Sequence, residues 1–172
     1  MVGISPFRNI DLRHLIFSAH VANRIAFNGD TWVIDTGATN HIAHSVHLLT
    51  EFTTISCVVE LPNGETTMVT HIGSISFSAT LTLSNVLCVP SLSFNLLSVS
   101  QLTKSCSCCL IFLSNFCFIQ DLICRRMIGM GEVHDGLYLL QHSPLDACTF
   151  LINSNWFILP IHFQFCFQMY FQ

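Results

Sequence analysis

Charged side chains are scarce in this chain of 172 residues. Lys, Arg, Asp and Glu make up 9% of it, and 51% is apolar, including 15 Phe, whereas about 25% charged residues is typical of soluble domains. The formal net charge is −4 and no long basic run occurs, so the electrostatic footprint of a nucleic-acid-binding protein is missing. The composition predicts one domain with an ample core, poor solubility alone, and burial in a dimer or larger assembly.

The sequence also lacks the marks of secretion and of a zinc site. No apolar stretch near the N-terminus is long enough for a signal peptide, because polar residues interrupt it. These are Arg8, Asp11, Arg13 and His14. The nine Cys are odd in number, and the crowded Cys106, Cys108 and Cys109 complete no zinc template. We therefore expect reduced thiols, mostly filling the core, in a cytoplasmic protein.

A carboxylate follows directly on a short apolar run, where Asp35-Thr36-Gly37-Ala38 comes after residues 32–34. The hydroxyl of Thr36 can lock a tight turn, and Gly37 permits positive φ and close backbone approach. This order suits one half of a two-carboxylate hydrolytic site, in which the pair shares a proton and one carboxylate activates water. An Asp that only caps its turn is the more frequent explanation of the tetrapeptide alone.

Short strands are predicted along most of the remaining chain. Runs rich in β-branched residues and in period-two alternation recur from Val58 to Leu140, and Asn63-Gly64 between two of them is a strong hairpin signal. Residues 94–102 fit a buried strand that enters a short helix. Seven or eight short strands with turns between them predict a small all-β barrel or sandwich.

Several segments occur in an order that resembles a known family. They are WVIDTGATNH at 32–41, LPNG at 61–64, VTHIG at 69–73, NVLCVP at 85–90, NLLSV at 95–99, IGMG at 128–131 and GLYL at 136–139. Together they resemble the aspartic protease region of copia-type retrotransposon Gag-Pol polyproteins, over about residues 31–141. The resemblance implies a retropepsin-like fold, a closed β-barrel with one short helix, and a homodimer.

Roles for individual residues follow from this resemblance. Asp35 would be the catalytic acid and base, Thr36 would hydrogen-bond across the dimer, and Gly37 would let the substrate backbone approach. Ala38 would bind substrate at the pocket floor. Because the chain has a single Asp-Thr-Gly, a working site would need two copies, with the two-fold axis between the paired Asp35 carboxylates. No cofactor is implied.

The hairpin around Pro62-Asn63-Gly64 stands where retropepsins carry their flap, which closes over an extended peptide and excludes water. These three residues would then contact substrate. An ordinary surface hairpin fits the same residues equally well. Ser98 stands where the family usually has a Gly, and we expect it to pack under the catalytic loop rather than to touch substrate.

Three His recur at intervals of three residues after the Asp motif: His41, His44 and His47. On a helix they could bind a metal. No acidic or Cys partner is spaced to complete such a site, so a structural role is the stronger interpretation and no metal is expected.

Three segments are expected. Residues 1–29 are unassigned, 30–141 form the protease domain with a C-terminal hairpin extension, and 142–172 are an apolar tail outside the fold. The tail has no formally charged residue after Asp146. It has about the length of a membrane span, roughly 20 residues, but polar residues interrupt it, so a frame-shifted or non-coding tail on a truncated copy is the preferred interpretation and a membrane partner is not expected.

Two functions stay open. The first is an aspartic endopeptidase that acts as a homodimer on polypeptide, above all on the element's own polyprotein in a cytoplasmic virus-like particle. The second is an inactive β-barrel relic that serves at most as a dimerising or peptide-binding module. A relic tethered to a membrane through its tail is a third alternative, and no nucleic-acid partner is expected.

Overall fold

The computed structural model describes residues 29–61 and 64–141, which all lie in one compact unit, residues 1–142. The predictions for the N-terminal segment before Gly29, for Pro62 and Asn63, and for the tail lie outside the described residues. The strands and the helix are β1 (Trp32–Asp35), β2 (Ile42–Ala43), β3 (Glu51–Glu60), β4 (Thr66–Ser76), β5 (Thr82–Cys88), β6 (Asn95–Ser98), α1 (Val99–Ser105), β7 (Cys108–Phe112), β8 (Phe116–Asp121), β9 (Met127–His134) and β10 (Leu137–Leu140). A single 3-10 turn covers Val46–Leu48.

All ten strands join one mixed sheet in the order β3-β4-β5-β2-β6-β1-β10-β9-β8-β7. Only the pairs β1–β6 and β2–β5 are parallel. The expected mostly-β fold with one short helix is confirmed for the part of the chain that the structure describes. The closed barrel is not, because within those residues β3 pairs only with β4 and β7 only with β8. An alternating pattern reveals which face of a strand is apolar, but not whether the end strands meet.

Two apolar clusters form the core, one on each side of β1. Trp32 and Ile34 pack into the first cluster and Val33 into the second. This division follows from the alternation of side chains along a strand. A strand buried on both faces reads as a continuous apolar run, as the residues before Asp35 do. The central position of β1 therefore places Asp35 at the end of a rigid, two-sided element.

The hairpin predicted at Asn63-Gly64 is confirmed by the antiparallel pairing of β3 with β4. At its tip the backbone N–H of Leu61 donates to the carbonyl of Glu65 at 2.7 Å, and Gly64 has φ +82°. The residues before and after the tip expose an apolar pair, Val58 and Met68, which face each other across the two strands. Among the described residues, no helix combines the length and the apolar character needed to cross a membrane.

The structure has more strands than the seven or eight predicted. β4 is one strand of 11 residues, and a β-bulge between Gly73 and Ile75 shifts its register with β5. β9 was not predicted as a strand, since Gly129 and Gly131 lower its β-propensity. Gly131 nevertheless sits in a crowded place, because a Cβ there would stand 2.7 Å from the Cδ1 of Ile34, which would have to shift.

Candidate functional site

Asp35 is the last residue of β1, and its side chain closes a turn with the loop that follows. The backbone N–H of Gly37 donates to Oδ1 of Asp35 at 2.7 Å. The Asp35 side chain is mostly buried, whereas Thr36 and Gly37 are exposed. Asp35 thus caps its own turn. The carboxyl group is held on rigid backbone, and the two residues after it face outward.

Ala38, which the resemblance places at the pocket floor, is buried among apolar residues of the second cluster, at 2% exposure. Its carbonyl oxygen accepts hydrogen bonds from the hydroxyls of Ser98, at 2.6 Å, and Ser100, at 3.2 Å. The side chain of Ala38 does not line the cavity beside Asp35 that is described below. The structure therefore holds Ala38 through its backbone, under the exposed part of the loop.

The start of α1 lies beside the end of β1, because the parallel pairing of β1 with β6 sets Asp35 opposite Ser98. Ser98 is fully buried and caps the helix, with its Oγ accepting from the backbone N–H of Gln101 at 3.1 Å. The same hydroxyl donates to the carbonyl of Ala38, so one side chain joins the helix cap to the Asp35 loop. A Gly at this position would provide neither bond.

His41 is fully buried six residues after Asp35 and connects the same two segments. Its ring Nδ1 accepts from the backbone N–H of Ser98 at 3.0 Å, and its own backbone N–H donates to Oε1 of Gln101 at 3.2 Å. Burial lowers the pKa of the His41 imidazole from 6.5 to about 3. The ring is therefore neutral, and because Nδ1 accepts, the proton is assigned to Nε2.

The other two His of the series serve different places. His44 donates its backbone N–H to Oδ1 of Asn95 at 3.0 Å, and its ring Nδ1 lies 2.9 Å from the same oxygen. The amide nitrogen of Asn95 in turn donates to the carbonyls of Gly29 and Thr31, each at 2.9 Å, and so ties down the chain before β1. His47 is exposed in the 3-10 turn. The three rings are not brought together, and residues 29–61 and 64–141 contain no group of three or more His, Cys, Asp or Glu side chains suited to a metal.

A small cavity of about 240 Å³ opens beside the Asp35 turn. Its lining is mostly apolar and comes from β1 and the residue after it, β6, β7, β10 and the turn before β10: Val33, Ile34, Asp35, Thr36, Leu96, Phe112, Gly136, Leu137 and Tyr138. Pockets for whole small molecules usually measure about 300–1,000 Å³, so this cavity has the size for a single side chain. Its wall is stiffened by an edge-to-face contact between Phe112 and Tyr138 at 5.0 Å, and by a hydrogen bond from the Tyr138 hydroxyl to the carbonyl of Leu113 at 2.6 Å.

Sequence reasoning missed Phe112 and Tyr138 because both stand far along the chain from Asp35 and belong to strands that only the fold brings near it. It also missed the contact of His41 with Ser98, which are 57 residues apart. Of the predicted flap residues, Gly64 is exposed at the hairpin tip. Neither Gly64 nor its described neighbours Leu61 and Glu65 line the cavity.

Comparison with known proteins identifies the chain's relatives. Residues 32–107 match the family described as Pol polyprotein, beta-barrel domain. The chain is 31% identical over 150 residues to the retrovirus-related Pol polyprotein from transposon RE2 of Arabidopsis thaliana, an alignment that covers 80% of this chain and 10% of that protein. It is 30% identical over 125 residues to the corresponding polyprotein from transposon RE1, covering 70% and 8%.

The chain thus spans about a tenth of the length of these curated relatives. No solved structure matches it. The resemblance to a retrotransposon polyprotein is confirmed, and the sheet continues beyond the matched segment through β7–β10. The chain is thus related to a segment of retrotransposon Pol polyproteins, and its residues 32–107 match the Pol polyprotein β-barrel domain.

Proposed function

We propose that this chain is an aspartic endopeptidase whose active site forms between two copies, each of which supplies Asp35. The observation that carries the proposal is the position of the carboxyl group. It lies at the end of a strand buried on both faces, is fixed by the Gly37 N–H, and borders an apolar cavity with the size for one side chain. Rigid placement of a reacting group is what a hydrolytic site requires.

In the proposed homodimer the two Asp35 carboxyl groups share one proton, because two carboxylates at close range cannot both ionise. The ionised member takes a proton from a water molecule, whose oxygen attacks the peptide carbonyl carbon. The protonated member donates to the carbonyl oxygen. When the tetrahedral intermediate collapses, the C–N bond breaks and the amine leaves with a proton. No metal or cofactor takes part.

The exposure of Thr36 and Gly37 supports an arrangement in which a second copy meets the loop at this point. A hydroxyl that faces outward can bond across a two-fold axis, and a residue without a side chain lets backbone come close. Such an isologous contact, with closure of the barrel into the retropepsin-like form, belongs to the proposal. The exposed pair Val58 and Met68 supports a flap role for the β3–β4 hairpin, since bound peptide would cover it.

We take the substrate to be polypeptide and, in a complete element, the element's own polyprotein in the cytoplasm. The test uses the full chain and two single variants, D35N and D30N, offered a mixed peptide library at mildly acidic pH. Asp30 is a matched control because it is an exposed Asp only five residues away. Cleavage by the wild type and by D30N that is lost in D35N is expected, together with a dimer in sedimentation equilibrium.

Cleavage that persists in D35N would overturn the proposal, because the activity would then not depend on this carboxyl group. Silence from a wild-type chain that is folded and dimeric would also overturn it. The chain would then be a dimerising or peptide-binding barrel rather than an enzyme.

A further inference from the structure

We infer that His41 is a positioning residue, which sets the conformation of the Asp35 loop through the acceptor nitrogen that it presents to Ser98. Its relevance to catalysis rests on the function proposed above. The positioning itself can be measured without any cleavage. The imidazole of His41 is fully buried, and its Nδ1 accepts from the backbone N–H of Ser98 at the start of the helix.

The backbone N–H group of Ser98 needs a hydrogen-bond acceptor. Buried backbone donors are almost always paired, and this one lies where strand β6 ends and α1 begins. His41 Nδ1 provides the acceptor at 3.0 Å. Only a neutral ring can do this, since a protonated imidazole would turn a second donor toward the Ser98 N–H.

Hydrogen bonds lead from Ser98 to the loop that holds Asp35. Ser98, held by His41, donates its hydroxyl to the carbonyl of Ala38 at 2.6 Å. The residue before Ala38 is Gly37, whose N–H holds Oδ1 of Asp35 at 2.7 Å. A shift of the Ser98 backbone is therefore passed through a single hydroxyl to the loop whose N–H group orients the carboxyl.

His41 also closes a ring of hydrogen bonds with Ser98 and Gln101. Its backbone N–H donates to Oε1 of Gln101 at 3.2 Å, and the backbone N–H of Gln101 donates to Oγ of Ser98 at 3.1 Å. With the bond from the Ser100 hydroxyl to the carbonyl of Ala38, four hydrogen bonds join residues 38–41 to residues 98–101. Each bond is buried or partly buried, so water competes little with it and the ring favours one geometry.

The two ring nitrogens of His41 explain why the residue is a histidine. Nε2 is buried and, among the described residues, has no hydrogen-bond partner. A buried donor without an acceptor opposes folding, so a side chain selected only to fill space would better be apolar. The acceptor at the Nδ1 position is the property that an apolar side chain would lack. The useful atom of the imidazole is therefore Nδ1, and the unpaired Nε2–H is a consequence of having that ring.

Two neutral variants separate the acceptor from the rest of the side chain. In H41N the amide oxygen stands the same number of bonds from Cα as Nδ1 does, so it can accept from Ser98. In H41Q the amide lies one bond further out, near the position of Nε2, and the Ser98 N–H loses its acceptor. Both variants are polar and uncharged, and both disturb the packing around the ring.

The experiment records ¹H–¹⁵N spectra of the full chain and of both variants, with the Gly37 amide as the reporter of the loop. The Gly37 proton should keep its wild-type shift in H41N and move upfield in H41Q, as its bond to Asp35 lengthens. In the wild type, Nδ1 of His41 should give the signal of an unprotonated nitrogen at mildly acidic and at neutral pH. In cleavage assays H41Q should lose about a hundredfold in kcat, typical of a misplacement near 1 Å, with little change in KM, while H41N recovers most of it.

Equal effects of H41N and H41Q on the Gly37 shift, with equal losses of stability in urea, would overturn the inference and leave His41 as a packing residue. A protonated Nδ1 in the wild type would also overturn it. If the wild-type chain cleaves nothing, the proposed function fails, whereas the Gly37 and His41 signals still decide the positioning role.

Discussion

Replacing Ser98 with Ala tests whether one buried hydroxyl joins the helix start to the Asp35 loop. The hydroxyl lies 3.1 Å from that of Ser100 and makes two further bonds in opposite directions, accepting from the N–H of Gln101 and donating to the carbonyl of Ala38. S98A removes both and leaves the backbone unchanged. Because the site is fully buried, water cannot replace the lost partners.

The cost can be built up from its parts. Loss of a Ser helix cap costs about 1 kcal/mol, and loss of a buried hydrogen bond about another 1 kcal/mol. The carbonyl of Ala38 keeps a second donor, the hydroxyl of Ser100 at 3.2 Å, so it is not stranded. We expect S98A to lower the free energy of unfolding by about 2 kcal/mol. S100A leaves the stronger donor in place and should cost less than about 1 kcal/mol.

The double variant S98A/S100A sharpens the test. With both hydroxyls gone, the buried carbonyl of Ala38 has lost both of these donors, and an unpaired buried group costs about 1–3 kcal/mol. The double variant should therefore be less stable than the sum of the single effects, by about 1 kcal/mol. A shared acceptor is the physical reason for this non-additivity.

The assay is urea unfolding of the full chain, with the m value compared between variants to check that the exposed surface on unfolding is unchanged. Loss of the helix cap should also appear as faster amide exchange at Gln101. A value for S98A within about 0.5 kcal/mol of the wild type, the range of ordinary surface substitutions, would refute the reasoning. Strict additivity in the double variant would refute the shared acceptor.

Three further predictions concern other parts of the described chain. Burial lowers the pKa of His41 from 6.5 to about 3, so on acidification this residue takes up a proton in the unfolded chain before it does so in the folded one. The free energy of unfolding of the wild type relative to H41N should therefore be full above pH 6.5. It should fall by about 1.4 kcal/mol per pH unit toward pH 3, as measured by urea titrations. Y138F should lose about 1 kcal/mol with its bond to Leu113 and keep the peptide preference, whereas Y138A should accept larger side chains in a library screen. G131A should cost about 1–3 kcal/mol by overpacking against Ile34, and an unchanged thermal midpoint would contradict this.

Local signals in the sequence predicted the site's own loop well, because each of them acts within a few residues. An apolar run before Asp35 indicated a buried strand, Asn63-Gly64 indicated a hairpin, and the approach to Ser98 indicated a strand that enters a helix. Each of these rests on backbone preferences that neighbouring residues determine. The structure adds that the strand before Asp35 is buried on both sides, which explains why its run does not alternate.

Contacts between distant segments could not be predicted in the same way. Nothing in the spacing of Phe112 or Tyr138 relates them to Asp35, because an apolar pattern fixes the face of a strand and not its neighbours. The strand that contains Gly131 was missed since glycine usually weakens strands, whereas here a Cβ would crowd the side chains of Ile34 and Cys117. The open edges of the sheet likewise depend on pairing between distant segments, which the local sequence pattern does not predict.

The neighbours of β1 have a consequence for the order in which the chain is synthesised. One edge of β1 pairs with β6, but the other pairs with β10, so that Val33 lies opposite Leu139. A nascent chain that has emerged only through the family match, to residue 107, still has one bare edge on the strand that carries Asp35, and bare edges invite wrong partners. At about 5–20 residues per second, the missing strand arrives a few seconds later. The strand that carries Asp35 thus gains its second neighbour late, which in the proposed endopeptidase would delay cutting until the ribosome has moved past the domain.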